Sequence, residues 1–133
     1  MTKILVCGGR YFNDNDFLNA VLNKLHIVYS ISMVVQGGAT GADELAKMWA
    51  LNNDIQMKEY PADWKSYKKV AGIIRNRIMY DTEIPDIVIA FTGNNGTADM
   101  VKYAKKKNCK MILDFRDLEN NNDVCEFLFG SIK

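Results

Sequence analysis

The chain has 133 residues, of which 48% are hydrophobic and 25% charged, and this composition is typical of one soluble globular domain. Its longest apolar stretches are far shorter than the roughly 20 residues that cross a bilayer, which argues against a membrane protein. Seventeen Lys and Arg against sixteen Asp and Glu give a net charge of +1, too small to attract duplex nucleic acid or anionic lipid. We expect one domain over residues 1–133, without membrane attachment, and we disfavour nucleic acid as its partner.

The cysteines and the first residues of the chain indicate the cellular compartment of the protein. The cysteines are odd in number and lack the ligand spacing of a zinc site; they are Cys7, Cys109 and Cys125. No basic and apolar leader with a cleavage site stands before the first apolar run. We therefore expect a cytoplasmic protein that holds no metal and no cofactor.

Apolar runs alternate along the chain with segments of helical periodicity. Val- and Ile-rich runs predict strands at 4–7, 31–35, 55–60, 86–91 and 110–114. Helical spacing predicts helices around 17–25, 40–51, 67–78, 97–107 and 124–129. Thr40 and Asp43 resemble a capping box at the start of the second helix. In the third helix, the predicted buried face is formed by Tyr67, Val70, Ala71, Ile74 and Ile78.

The alternation of strands and helices predicts the architecture. Parallel strands need a crossover connection, which is usually helical, and such sheets are covered by helices on both faces. We therefore predict an α/β fold: a single Rossmann-like three-layer α/β/α sandwich with a mostly parallel sheet of about five strands.

Three glycine-containing clusters each follow a predicted strand and precede a predicted helix. They are Gly8-Gly9-Arg10, Gly37-Gly38-Ala39-Thr40-Gly41 and Gly93-Asn94-Asn95-Gly96-Thr97. Glycine lets the backbone approach a ligand closely, and a helix start offers free N–H groups and a positive dipole end. Because the three loops lie at one edge of a parallel sheet, we expect them to form one crevice. The crevice should lie between the first strand and the strand that ends at Phe91, where the strand order reverses.

Two common nucleotide fingerprints are absent from the sequence. No GxxxxGK[ST] motif occurs, which disfavours a P-loop ATPase, and no GxGxxG follows the first strand, which disfavours a conventional dinucleotide dehydrogenase.

Six stretches of the sequence together form a recognisable series, 8–10, 36–43, 49–50, 62–64, 71–79 and 93–100. In these stretches the sequence resembles the SLOG superfamily, and within it the small single-domain branch related to YspA. The resemblance implies a Rossmann-like fold and a pocket for a nucleotide or nucleotide derivative, with its phosphate on the last glycine loop. The superfamily also contains the LOG phosphoribohydrolases and the DprA proteins, which handle single-stranded DNA.

Comparison with the LOG pattern bears on whether the chain is an enzyme. Gly93, Gly96 and Thr97 match the LOG phosphate loop, with Asn94 in place of its second glycine. Arg75 and Met79 match a LOG arginine and methionine, and Asn76 stands where those enzymes usually carry lysine. Met100 occupies the position of the catalytic glutamate. Asp99 precedes it by one residue, which is about 100° around a helix. The sequence leaves enzymatic activity open; an enzyme would have to use Asp99 or Asp43 as its carboxylate.

Three polar or aromatic side chains complete the candidate site. Arg10 should lie over the crevice mouth, where a guanidinium can bind phosphate. Arg75 and Arg77 are about 200° apart around a helix, so only one can face the site, and we expect Arg75 to do so. Trp64 could stack on a base, although core packing is slightly favoured.

We therefore predict a domain that binds a nucleotide or nucleotide derivative as a sensor or carrier. The alternatives are a LOG-like nucleoside-monophosphate phosphoribohydrolase and a DprA-like binder of single-stranded nucleic acid. The oligomeric state stays open, with a homodimer as one candidate. The predicted ligand-binding residues are Gly8, Gly9, Arg10, Gly37, Gly38, Thr40, Asp43, Arg75, Asn76, Gly93, Asn94, Asn95, Gly96 and Thr97.

Overall fold

The structure, a computed structural model, describes residues 2–116. Its strands are β1 (Thr2–Cys7), β2 (Ile31–Gln36), β3 (Gln56–Glu59), β4 (Ile87–Ala90) and β5 (Met111–Asp114). Its helices are α1 (Asn15–Tyr29), α2 (Ala42–Asn52), α3 (Trp64–Tyr67), α4 (Ala71–Glu83) and α5 (Asn95–Lys106), with a 3₁₀ helix at Lys68–Val70 between α3 and α4. The fifth predicted helix, around 124–129, and Cys125 lie outside the described residues.

All five strands pair in parallel in one sheet, in the order β3-β2-β1-β4-β5. The strand order therefore reverses between β1 and β4, whose register places Val6 opposite Ile89 and Cys7 opposite Ala90. This arrangement confirms the predicted Rossmann-like class. It also places the reversal point at the predicted pair of strands, where the carboxyl ends of β1 and β4 lie side by side.

The sheet is covered by apolar cores on both faces. Ile4 and Val6 of β1 belong to the core that α1 and α2 complete, whereas Leu5 and Cys7 belong to the core completed by α4 and α5. This alternation follows from the two-residue period of a strand. Trp49 is buried in the first core, as predicted, and its indole N–H donates to Asn23 Oδ1 at 2.8 Å.

The capping box predicted for α2 is wrong. The N-cap residue is Gly41, which has a φ of +82° and makes no side-chain cap. Thr40 Oγ1 instead donates to the carbonyl of Arg10 at 3.2 Å, and Asp43 Oδ2 accepts from the Ala39 N–H at 3.2 Å. Because the chain turns sharply at Gly41, Thr40 contacts the first glycine loop and Asp43 contacts its own loop.

The buried face predicted for the helix after Pro61 is confirmed at Ala71 only and is otherwise wrong. The 3₁₀ helix separates α3 from α4, so Tyr67 and Ile78 do not share one helix. Tyr67 is 49% exposed and Ile78 is 52% exposed. The buried residues of α4 are Ala71, Asn76, Met79, Tyr80 and Glu83. Apolar periodicity was misleading here because α4 packs through a mixed face that carries polar side chains.

Within residues 2–116, no helix is long and apolar enough to span a bilayer.

Candidate functional site

A pocket of about 200 Å³ opens at the carboxyl ends of β1 and β4. All three glycine loops contribute to its walls, together with one face of α4. The residues that line it are Val6, Cys7, Gly8, Gly9, Arg10, Gly37, Ala39, Asp43, Trp64, Gly72, Arg75, Asn76, Met79, Asn94, Gly96 and Thr97.

Ten of the fourteen predicted ligand-binding residues line this pocket. Gly38 and Thr40 instead line a neighbouring groove of about 380 Å³. Gly93 and Asn95 belong to the third loop but do not line the pocket. The structure thus brings most of the predicted residues together and separates these four from the pocket wall.

Two of the glycines serve the packing of the loops on one another. A Cβ at Gly41 would overlap the Gly9 carbonyl, and one at Gly93 would overlap Thr97 Oγ1 and the Gly9 nitrogen. The Gly9 N–H donates to the Thr92 carbonyl at 2.7 Å, which joins the first loop to the third. Glycine at positions 41 and 93 therefore lets three loops pack closely enough to form a single rim.

Arg75 forms one side of the pocket through hydrogen bonds to backbone carbonyls. Its Nη1 donates to Gly37 O at 2.6 Å and to Tyr60 O at 3.3 Å, and its Nε donates to Asn76 Oδ1 at 3.0 Å. Burial lowers the pKa of Arg75 below its usual value, and the charge of the nearby Asp43 carboxylate offsets only part of this effect. An arginine nevertheless keeps its charge in a protein, so the pocket contains a fixed cation.

Asp43 lies in the pocket with only 5% of its surface exposed. Burial raises the pKa of this carboxyl to about 6, while hydrogen bonds from the backbone of Ala39 and Gly37 and the charge of Arg75 act in the opposite direction. Its protonation therefore changes within about one unit of neutral pH. A perturbed carboxyl in a cleft is a common feature of functional sites.

The other candidate carboxylate, Asp99, does not line the pocket. Both of its oxygens accept hydrogen bonds from Arg77 at 2.8 Å, and Asn76 Nδ2 donates to it at 3.3 Å. Burial alone would raise the pKa of Asp99, but these bonds lower it. Met100, at the position of the LOG glutamate, is fully buried in the core. Asp99 therefore holds α4 against α5, as the partner of Arg77.

The N-terminus of α5 forms another part of the pocket wall. Its N-cap residue, Asn94, makes no side-chain cap, and the first turn contains no acidic residue. Gly96 and Thr97 of this turn line the pocket. Free N–H groups and the positive dipole end make such a helix start favourable for an anion.

Comparison with known proteins identifies the family. A family model described as "YspA, cpYpsA-related SLOG family" matches residues 2–67. The Gene 61 protein of Mycobacterium phage D29 is 31% identical over 120 residues, which cover 84% of this chain and 95% of that protein. The chain belongs to the YspA-related SLOG family. Membership supports a nucleotide-related function at the level of the family.

A solved structure shares the fold of this SLOG chain. The X-ray structure of TM1055 superimposes with a TM-score of 0.61 and 18% sequence identity, over 80% of this chain and 70% of that one. At this identity the similarity shows the fold alone. The SLOG family model ends at Tyr67, so it covers the first two glycine loops and Trp64. Arg75 and the third loop lie beyond its match.

Some residues of the SLOG pocket were missed or misplaced in the sequence analysis. Trp64 is 52% exposed at the pocket mouth and lies against Gly72, so the favoured core placement is wrong. Gly72 and Met79 line the wall with Arg75 and Asn76. These four have the spacing i, i+3, i+4 and i+7 of one helix face, which is the signal that would have identified the wall. Cys7 also lines the pocket, but burial raises the pKa of its thiol and so opposes thiolate chemistry.

Proposed function

We propose that this chain binds a nucleotide or nucleotide derivative, as a sensor or carrier, in the pocket between α4 and α5. The observation that carries the proposal is the pairing of two features across one cavity: the uncapped N-terminus of α5 and the guanidinium of Arg75. A phosphate is the common biological anion that uses both backbone N–H groups and an arginine. The family membership of the chain agrees with this chemistry.

The phosphate is assigned to the first turn of α5. Gly96 lines the pocket, and a Cβ built there has no neighbour within 4 Å, so its position leaves open space. Arg10, exposed at the rim, supplies a second cation that a bound phosphate can attract. Arg75 is already held by carbonyls, so it offers a positioned charge at little cost in side-chain entropy.

The sugar and the base are assigned to the opposite side of the pocket. Asp43 is a buried acceptor, which suits the hydroxyl groups of a ribose. Trp64 presents a half-exposed ring at the mouth, where a base can stack. A domain that only binds its ligand needs no catalytic carboxylate. This agrees with Met100, which occupies the position of the LOG glutamate and is buried in the core.

Mass spectrometry of the purified protein tests the proposal. The protein is mixed with nucleoside monophosphates, nucleoside diphosphate sugars and ADP-ribose derivatives, and retained ligand and released base are scored in the same samples. Gly96→Val should abolish retention without unfolding the protein, because its branched side chain fills open space. Ala98→Val is the matched control, since Ala98 is exposed in the same turn and does not line the pocket. Equal retention by both variants would refute the phosphate placement.

One observation favours hydrolysis of the N-glycosidic bond as a second candidate function. Asp43 lies in the pocket with a pKa of about 6, so near neutral pH it can serve as a general acid or as a general base. Asp99 is held by Arg77 and is the weaker candidate. Release of free base that is lost in Asp43→Asn and kept in Asp99→Asn would establish this activity. Retained nucleotide without released base would exclude it for the panel used.

A further inference from the structure

A groove of about 380 Å³ adjoins the pocket and extends the space available to a ligand. The pocket itself measures about 200 Å³, less than the roughly 300–1,000 Å³ of typical small-molecule sites. The two spaces are continuous, because they share the lining residues Arg10, Gly37, Ala39, Trp64 and Arg75. A nucleotide that fills the pocket therefore extends into the groove.

The lining of the groove is positively charged. Arg10 and Arg75 are among its nine lining residues, and none of the nine is acidic. Arg10 is exposed, and within residues 2–116 it forms no ion pair. Because no carboxylate in the wall opposes them, two guanidinium groups at one cavity favour an anionic group there.

Arg75 retains free hydrogen-bond donors. Its Nη1 donates to the carbonyls of Gly37 and Tyr60, and its Nε donates to Asn76. Among the described residues, the third nitrogen, Nη2, has no acceptor, although it carries two N–H groups. The carbonyls fix the guanidinium in place, so these two donors are available to an anion at little cost in side-chain entropy.

Two carboxylates near the groove lie outside its wall. Glu59 packs against Gly38, but it accepts a hydrogen bond from Gln36 Nε2 at 2.9 Å and pairs with Lys47 at 3.7 Å. Asp43 lines the pocket and not the groove, and it accepts from the backbone of its own loop. Each carboxylate thus has partners of its own, and the groove stays the favourable place for an anion.

An anion in the groove is distinct from the phosphate assigned to α5. Asn94, Gly96 and Thr97 of the third loop line the pocket, but no residue of that loop lines the groove. A second phosphate joined directly to the first would stay beside the third loop, whereas a phosphate on the far side of the ribose would reach the groove. Gly38 and Thr40 line the groove and not the pocket, so the ligand contact predicted for them needs a group in the groove.

We propose that the ligand is a ribonucleoside bisphosphate. Its 5′-phosphate binds the first turn of α5, and a second phosphate, on the 2′ or 3′ oxygen of the ribose, binds to Arg10 and Arg75 in the groove. Arginine suits this role because its planar fork can bind two phosphate oxygens at once. The inference rests on the proposed nucleotide pocket and narrows its ligand to a class with two separate phosphates.

Titration calorimetry of the purified chain tests the inference. The probes are the 5′-monophosphate, the 5′-diphosphate and the 2′,5′- and 3′,5′-bisphosphates of the four common ribonucleosides. For the base that binds best, we expect one bisphosphate to bind at least roughly tenfold more tightly than the 5′-monophosphate, the effect of one charged hydrogen-bonded contact. The 5′-diphosphate carries a similar charge to a bisphosphate, but it should gain less. Equal gains for the diphosphate and the bisphosphates would overturn the placement of the second phosphate.

A charge placed in the groove locates the second phosphate. Ala62 lines the groove but not the pocket, and it lies in the loop between β3 and α3. Ala62→Asp should reduce the affinity for the bisphosphate to that for the monophosphate, whose own affinity should stay that of the wild type. The control, Ala20→Asp, makes the same change in charge at an exposed position of α1 outside both cavities. Arg10→Gln should also weaken the bisphosphate more than the monophosphate.

The outcomes separate this inference from the function on which it rests. Binding of the monophosphate without a gain for either bisphosphate would overturn the inference and leave the proposed function standing. If no probe binds, both proposals fail. Equal weakening of both ligands in Ala62→Asp would show that the base occupies the groove in place of a phosphate. A bisphosphate gain that survives in that variant would place the second phosphate elsewhere, so either result contradicts the inference.

Discussion

The side-chain amide of Asn76 joins Arg75 to the third glycine loop. Its Oδ1 accepts from Arg75 Nε at 3.0 Å, and its Nδ2 donates to Gly96 O at 3.1 Å and to Asp99 Oδ2 at 3.3 Å. Because both ends of the amide are engaged, Asn76 positions the two walls of the pocket relative to each other. Asn76 also lines the pocket, so its direct contact with a ligand stays a prediction.

Removal of this amide should loosen the pocket and lower stability. Asn76→Ala removes the hydrogen bonds of a buried amide to Arg75 Nε, the Gly96 carbonyl and Asp99, which should cost about 1–3 kcal/mol in the free energy of unfolding. Urea denaturation measures the loss. Asn95→Ala, exposed in the same loop and outside the pocket wall, should stay within about 0.5 kcal/mol of the wild type. A loss in Asn76→Ala no larger than in this control would contradict the positioning role.

The two neighbouring arginines should separate ligand binding from stability. Arg75→Ala should weaken nucleotide binding roughly 10- to 150-fold, which corresponds to about 1.5–3 kcal/mol for a charged hydrogen bond. Arg77→Ala removes the ion pair with Asp99 and the cation above the Tyr103 ring, so it should act mainly on stability. Titration calorimetry and urea denaturation of both variants measure the two effects. A larger binding loss in Arg77→Ala would show that the ligand lies on the other side of α4.

Protonation of Asp43 should make stability depend on pH. Burial raises the pKa of Asp43 in the folded protein from its ordinary value of 3.8 to about 6. Between these values the folded state retains a proton that the unfolded state releases, so stability falls as pH rises through this window and stays lower above it. The difference amounts to on the order of 3 kcal/mol.

Asp43→Asn should remove that fall, since the amide stays neutral and its oxygen can still accept from the Ala39 N–H. Urea denaturation between pH 4 and pH 7 compares the variant with the wild type. Asp16→Asn, at an exposed position in the first turn of α1, should keep the pH profile of the wild type. The same fall in stability in Asp43→Asn would assign the titration to another group.

Fluorescence of Trp64 should report on the pocket. The chain has two tryptophans, of which Trp49 is buried in the core and Trp64 is half-exposed at the pocket mouth. Stacking of a base on Trp64 should change its emission, and the change should disappear in Trp64→Phe, where only Trp49 remains. An emission change of equal size in that variant would show that the ligand acts at the core and not at the mouth.

The fold was predictable because its signals are local. Val- and Ile-rich runs and helical spacing predicted the five strands and helices α1, α2, α4 and α5 of residues 2–116 to within five residues, but they missed α3 and the 3₁₀ helix. The side of α4 that faces the sheet was not predictable in this way. Ile74 and Ile78 follow an apolar period, but α4 packs through Asn76, Met79 and Glu83, and the polar members of that face are satisfied by distant partners.

The sequence by itself determined the order of the elements and the edge of the sheet at which the three glycine loops meet. Both follow from the period of side chains along a strand or helix and from the parallel direction of the strands. Only the tertiary structure decided the partners of the polar side chains. Arg75 bonds to Gly37, 38 residues away in the chain, and Arg77 bonds to Asp99, 22 residues away. Such pairs depend on how whole helices pack, and no local pattern of residues specifies that packing.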